Sequence, residues 1–427
     1  MCAAAHDHAG VIQHLVGVKA NVDAVRDGGW TGLLSAADKG CLRAVETLLG
    51  AGASANLAAD DGWFPLAAAA ERGYIAVAAE LLRAGAEVSR ISGSGYSALM
   101  VAAAGGHTPL VSLLLRGHAQ VDQARNRGTT SLMLASRMGH AACVACLLAA
   151  KADTSRHNEV GATSVMLAAR LGHLPTVVLL LDAGADPSHA SEDGSTALIL
   201  AVQNGHDDVA LWLLQCGADT GQAAAGGWGC LTLAVAHGRA NLARALLRHR
   251  ADVNQARSNG VTALMLAAAT GQVEVVTMLL VAGARAGDKR DNGDDAMALA
   301  VRKGLTEVVA VLQCPPVSSI PPTPGLNVVA GQAQDEATKD SDLDGGAVDP
   351  SKGARAATGV VVGDRVRTKL GGLVMVGEVI AVDSDGDPQV RFDSGLERVL
   401  YTSSVEKTTE KTISERLQEK YGGLLGL

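Results

Sequence analysis

Nine glycines, Gly29, Gly62, Gly95, Gly128, Gly161, Gly194, Gly227, Gly260 and Gly293, follow one another at a spacing of 33 residues that never slips. A second comb, from Gly40 through Gly73, Gly106 and Gly139 to Gly304, keeps the same step. Two glycines per unit in fixed register mean one supersecondary module copied along the chain, not a single globular core. Units of this kind stack on their neighbours, and such arrays present surfaces for binding more than vessels for reaction.

The unit that starts at Gly161 reads GATSVMLAARLGHLPTVVLLLDAGADPSHASED. Val165, Leu167, Ala168 and Ala169 lie at helical spacing and run into Gly172, a helix stop. A second apolar run, Val177 to Leu181, ends at Gly184 and opens into a turn-rich stretch. Each unit therefore reads as helix, tight turn, helix, extended turn. Alanine pairs on the first helix let neighbours approach closely, and leucine pairs on the second, from Leu48-Leu49 to Leu279-Leu280, supply a shared core.

These motifs resemble the ankyrin repeat family over residues 3–314. The period, the Thr262 to Ala268 core, the Gly-His pairs at Gly106-His107, Gly139-His140, Gly172-His173 and Gly205-His206, and the Gly-Ala-Asp exit all match. The family's usual Thr-Pro-Leu-His departs at Met100, Met133, Met166 and Met265, where methionine replaces histidine. Methionine adds flexible apolar volume in place of a polar turn contact, so we expect an array held more by packing than by polar cross-links. At the N-terminus, Ala3-Ala4, Leu15-Val16 and Ala20-Asn21 fit only the second half of a unit. We expect either a chain that extends upstream of Met1 or a frayed half-repeat.

Hydrophobic content of 48% with 2% aromatic residues is what an Ala/Leu array gives, and no apolar run approaches the ~20 residues that span a bilayer. No membrane association is expected. Seven scattered cysteines and a start without a basic-then-apolar leader point to a reducing cell interior, with the cytoplasm the expected compartment. A net charge of −8 argues against nucleic acid, whose phosphates need a basic face.

Residues 315–358 hold six of the 11 prolines, including Pro321 to Pro324, and read as a disordered Pro/acidic linker. From Gly359 the period becomes that of strands: Val360-Val362, Arg365-Arg367, Val374-Val382, Gln389-Phe392 and Arg398-Tyr401, punctuated by glycine turns. Residues 359–407 resemble the SH3-like modules of mind bomb ubiquitin ligases and KOW-like barrels, which implies a small all-β barrel that binds peptides. No Cys/His set at RING spacing accompanies it, so no ligase activity is implied. Residues 408–427 form a tail in which Ile413, Leu417 and Tyr421 suit a short helix. The expected architecture is mainly α: an ankyrin solenoid followed by this barrel.

Candidate chemistry is sparse. Cys143-x-x-Cys146 sits where other units hold core residues, and Asp383-Ser-Asp385-Gly-Asp387 lacks the glutamate that completes a calcium loop. No nucleophile–base set, phosphate loop or paired carboxylate is found. No enzyme activity, metal or cofactor is expected. One pattern stands out. The residue after each glycine of the first comb includes Trp30, Trp63, Tyr96 and Trp228, three of the four tryptophans among nine positions. In the resembled family this turn tip projects over the concave face. Trp30, Trp63 and Tyr96 on consecutive repeats would form an aromatic ladder, flanked by Asp60 and Asp61 and rimmed by Lys39, Glu71 and Arg72. The alternative is that each ring packs on the neighbouring turn and stiffens the array. We therefore expect a monomeric, non-enzymatic scaffold binding a protein partner on that face. Two alternatives are an adaptor that recruits substrates to a separate ubiquitin ligase and a barrel that reads methyl-lysine or RNA.

Overall fold

The computed structural model describes residues 1–314 and the strands lying between residues 365 and 399. The linker 315–358, the run Val360-Val362, the turn at Asp383 to Asp387 and the tail 408–427 fall outside the described residues. Two units are present, a helical one and a sheet.

Sequence register becomes structure directly in the helical unit. Each finger glycine of the first comb is the turn of a narrow hairpin, which leads into a first helix and then an antiparallel second helix. We number repeats 1 to 9 by their finger glycines. Repeat 4, for example, carries helices Ser131–Met138 and Ala141–Ala149. Ahead of repeat 1 lies the incomplete unit read from the sequence, with helices Cys2–Ala5 and Ala9–Gly17. First helices pack on first helices of adjacent repeats and second helices on second helices.

Local chemistry starts and stops these helices. The hydroxyls of Thr31, Ser97, Thr130, Thr196 and Thr262 each accept a backbone N–H at the first turn of a first helix, a cap worth about 1 kcal/mol. Gly40, Gly73, Gly139, Gly205 and Gly271 end first helices in the left-handed conformation. The expected core is in place: Leu48, Leu81, Leu114, Leu147, Leu180, Leu213, Leu246 and Leu279 are buried, as are the alanine pairs Ala36-Ala37, Ala102-Ala103, Ala168-Ala169 and Ala267-Ala268 of first helices. Met100, Met133, Met166 and Met265 are buried with them.

Polar cross-links accompany the packed core. Three sets of hydrogen bonds run between repeats. His107, His140 and His173 donate from Nε2 to the carbonyls of Glu71, Ala104 and Arg137 in the preceding repeat at 3.0–3.1 Å. Arg239 and Gln272 make the same reach, to Val202 and Val235. Backbone N–H groups of Asp60, Gly93, Glu159, Glu192, Ser258 and Asp291 donate to carbonyls of the preceding finger. Asp23, Asn56 and Asn254 accept N–H groups of Ser54, Glu87 and Arg285 at 2.8–3.0 Å. These bonds arise from positions of the repeat other than the first-helix position that holds methionine.

In the C-terminal unit, strands Arg365–Leu370, Leu373–Val382, Pro388–Phe392 and Glu397–Val399 form an antiparallel meander in sequence order. Leu370 pairs with Leu373, leaving a two-residue connection, and a register shift falls between Val379 and Ala381. Four of the five expected strands are thus described, and they do not show a closed barrel.

Candidate protein-binding surface

Each finger closes through its own backbone: Arg26 N–H donates to the Trp30 carbonyl, Ala59 to Trp63 and Ser92 to Tyr96. The residue after the finger glycine is therefore held at one place in every repeat, beside the finger and above the first helix. Trp30, Trp63 and Trp228 are half-buried and pack against the core with one part of the ring. Among the described residues no ring-to-ring contact joins Trp30, Trp63 and Tyr96, so the ladder is a series of separate rings in common register.

Two of the rings have a partner that the sequence reading missed. The Arg125 guanidinium, from the next finger, lies 4.4 Å from the Tyr96 centroid and also donates to its hydroxyl. Arg257 covers Trp228 at 3.6 Å. Stacks of this kind contribute about 0.5–2 kcal/mol. They make Tyr96 and Trp228 inter-repeat clamps as well as surface. Among the described residues the cation over Trp30 is Arg26 of its own finger, at 5.4 Å. The arginines at these stacks share one register position, three residues before a finger glycine, at Arg26, Arg125 and Arg257. That regularity was the available signal.

The acidic and basic neighbours are also partly engaged. Asp61 Oδ1 accepts the Trp63 N–H at 2.8 Å and so braces its own finger, whereas the Asp60 and Glu71 side chains are exposed. Lys39 meets Asp38 at 2.9 Å, and Arg72 Nε reaches the same carboxylate at 3.8 Å. Both basic side chains remain more than half exposed, so these pairs are weak in water.

A groove of about 580 Å³ lies beside Trp228. Asp193 and Ser195 from finger 6 and Ala225 from finger 7 form one side, and Gln203, Asn204 and His237 at first-helix ends form another. Hydrogen bonds from the hydroxyl of Ser191 and the N–H of Ser195 hold the Asp193 carboxyl below its ordinary range, so the groove carries a fixed negative charge. Trp228 was the expected residue that the structure places in a groove. Its polar companions were missed because they come from two repeats.

Nothing at the candidate cysteines suggests reactivity. Cys143 and Cys146 are buried, Cys143 Sγ lies 3.3 Å from Thr108 Oγ1, and burial pushes the Cys146 thiol up to about 11. Among the described residues no helix is long and apolar enough to cross a membrane.

A family model for ankyrin repeats (3 copies) matches residues 1–92, 85–158, 147–224 and 231–317. The chain belongs to the ankyrin repeat family. Ankyrin repeats are in general protein–protein interaction modules and typically non-enzymatic. A search of curated proteins returned no match to the chain.

Proposed function

We propose that this protein is a monomeric, non-enzymatic interaction scaffold that binds a protein partner on the concave face made by fingers and first helices. The observation that carries the reading is the set of half-exposed aromatic rings held in one register, Trp30 and Trp63 above all, beside exposed Asp60 and Glu71. Aromatic side chains anchored by rigid backbone bind with little loss of conformational freedom, and truncating a central one typically costs about 2 kcal/mol or more. Seven free cysteines fit a reducing interior such as the cytoplasm. Within the same proposal, the C-terminal strands belong to an SH3-like barrel that binds a second peptide, so that two weak sites on one chain gain avidity.

The test is affinity capture from cell lysate with the wild-type chain beside Trp30→Ala/Trp63→Ala/Tyr96→Ala, both verified as folded by circular dichroism. A protein partner lost only with the variant is the expected result. Capture of the same partners by both chains would reduce the aromatics to structural parts. Ligase subunits among the partners would redirect the reading to an adaptor.

A further inference from the structure

The groove beside Trp228 identifies which register positions share one face: the residues flanking the finger glycine and the two at the end of the first helix. Two repeats earlier those positions hold Arg127, Arg137, Met138, Arg170 and Leu171. Met138 is 49% exposed and Leu171 44%, on adjacent first helices. The corresponding end positions in repeats 1, 2 and 6 to 9 are polar: Lys39, Arg72, Asn204, His237, Thr270 and Lys303. Repeats 4 and 5 thus break the pattern with two neighbouring apolar side chains open to water.

The charges beside them are also open. Lys39 and Arg72 share Asp38, and Arg302 engages Asp294. Arg127 pairs with Glu159 at 3.1 Å. The exposed guanidiniums of Arg137 and Arg170 make no ion pair or side-chain hydrogen bond among the described residues. Two unneutralised cations therefore alternate with two exposed apolar groups along the array.

We propose that repeats 4 and 5 dock an extended acidic peptide with an aliphatic residue beside each carboxylate. The proposal rests on the reading of the finger face as the binding face. Adjacent helices pack about 10 Å apart, and an extended chain rises about 3.3 Å per residue. Carboxylates three residues apart would therefore meet Arg137 and Arg170 in turn, and the following aliphatics would lie on Met138 and Leu171. A phosphodiester chain would satisfy the cations but leave the apolar pair uncovered. The chain's net charge of −8 also opposes it.

The probe is fluorescein-labelled Gly-Asp-Leu-Ser-Asp-Leu-Ser-Gly, titrated with the full chain by anisotropy. Its permutation Gly-Asp-Asp-Leu-Ser-Leu-Ser-Gly, of equal charge and composition, is expected to bind more weakly. Arg137→Glu/Arg170→Glu is expected to weaken binding of the first peptide roughly fivefold or more and to favour the Lys-for-Asp peptide instead. That reversal cannot come from misfolding. Failure of the first peptide to bind, equal binding of the two Asp peptides, indifference to the double substitution, or competition by oligothymidylate would each overturn the proposal. The Trp30→Ala/Trp63→Ala chain, which leaves the Tyr96–Arg125 clamp of repeat 4 in place, is expected to bind this peptide as wild type does. A failed aromatic ladder would then leave the result standing, whereas loss of the peptide there would place its site elsewhere and overturn the assignment.

Discussion

Gly139→Ala and Gly184→Ala both add one methyl group at a left-handed glycine, at φ of +74° and +85°, yet should differ severalfold in cost. At Gly184 a Cβ would meet nothing within 4 Å. Its substitution therefore carries only the conformational penalty, about 1 kcal/mol. At Gly139 a Cβ would fall 2.6 Å from Nδ1 of His173, contributed by the next repeat. The imidazole must move, which weakens its 3.1 Å bond to the Arg137 carbonyl. Overpacking adds about 1–3 kcal/mol and a compromised hydrogen bond about 0.5–1.5, giving about 3–5 kcal/mol in all. Urea unfolding followed by circular dichroism, with both variants in the same chain, measures the difference. In a His173→Ala background the cost of Gly139→Ala should fall towards that of Gly184→Ala, because the clashing ring is gone. Equal costs for the two glycines in the wild-type chain would refute the argument that the neighbouring imidazole enforces the comb.

Three further expectations follow from the same geometry. His118, Lys151 and Arg250 stand at φ +64°, in the register where Gly52, Gly85, Gly184, Gly217 and Gly283 end second helices. Glycine at each should therefore stabilise by about 0.5 kcal/mol, seen as a higher urea midpoint. Cys2 and Cys314 are exposed and should react with Ellman's reagent in the native state. Cys230, pushed up to about 12 by burial, and Cys146 should react only on unfolding, so fast labelling of either would contradict their placement. Hydrogen bonds from Arg290 and Arg302 hold the Asp294 carboxyl down to about 2. The stability it contributes is present above the ordinary carboxylate value of about 3.9 and lost as pH falls through about 2. Protection of the Ala296–Arg302 amides, corrected for the intrinsic exchange rate at each pH, should accordingly fall between pH 4 and pH 2, and near pH 4 in Arg290→Ala/Arg302→Ala.

The repeat body was legible because its glycines must stand where the backbone turns left-handed, so the turns could be placed from spacing alone. Helix polarity and the leucine core followed from the same register. What escaped were contacts that join one repeat to the next. Arg125 and Arg257 meet rings 29 residues earlier, and no reading of a single unit brings them together. The polar ties leave not from the first-helix position that holds methionine but from His107, His140, His173 and Asn56, whose partners lie in the neighbouring repeat. Met138 and Leu171 look like core residues in a pattern of apolar spacing. Only their exposure, at the last residue before or beyond the helix end, separates them from it.

The most direct test of the binding-face claim is amide hydrogen exchange of the full chain, free and saturated with a partner recovered by capture. Protection is expected at the fingers and first-helix ends, among them Trp30, Trp63 and residues 137–138 and 170–171, with the second helices unchanged. Protection confined to second helices such as Leu42–Gly50 and Leu174–Asp182 would put the partner on the opposite surface and contradict the account.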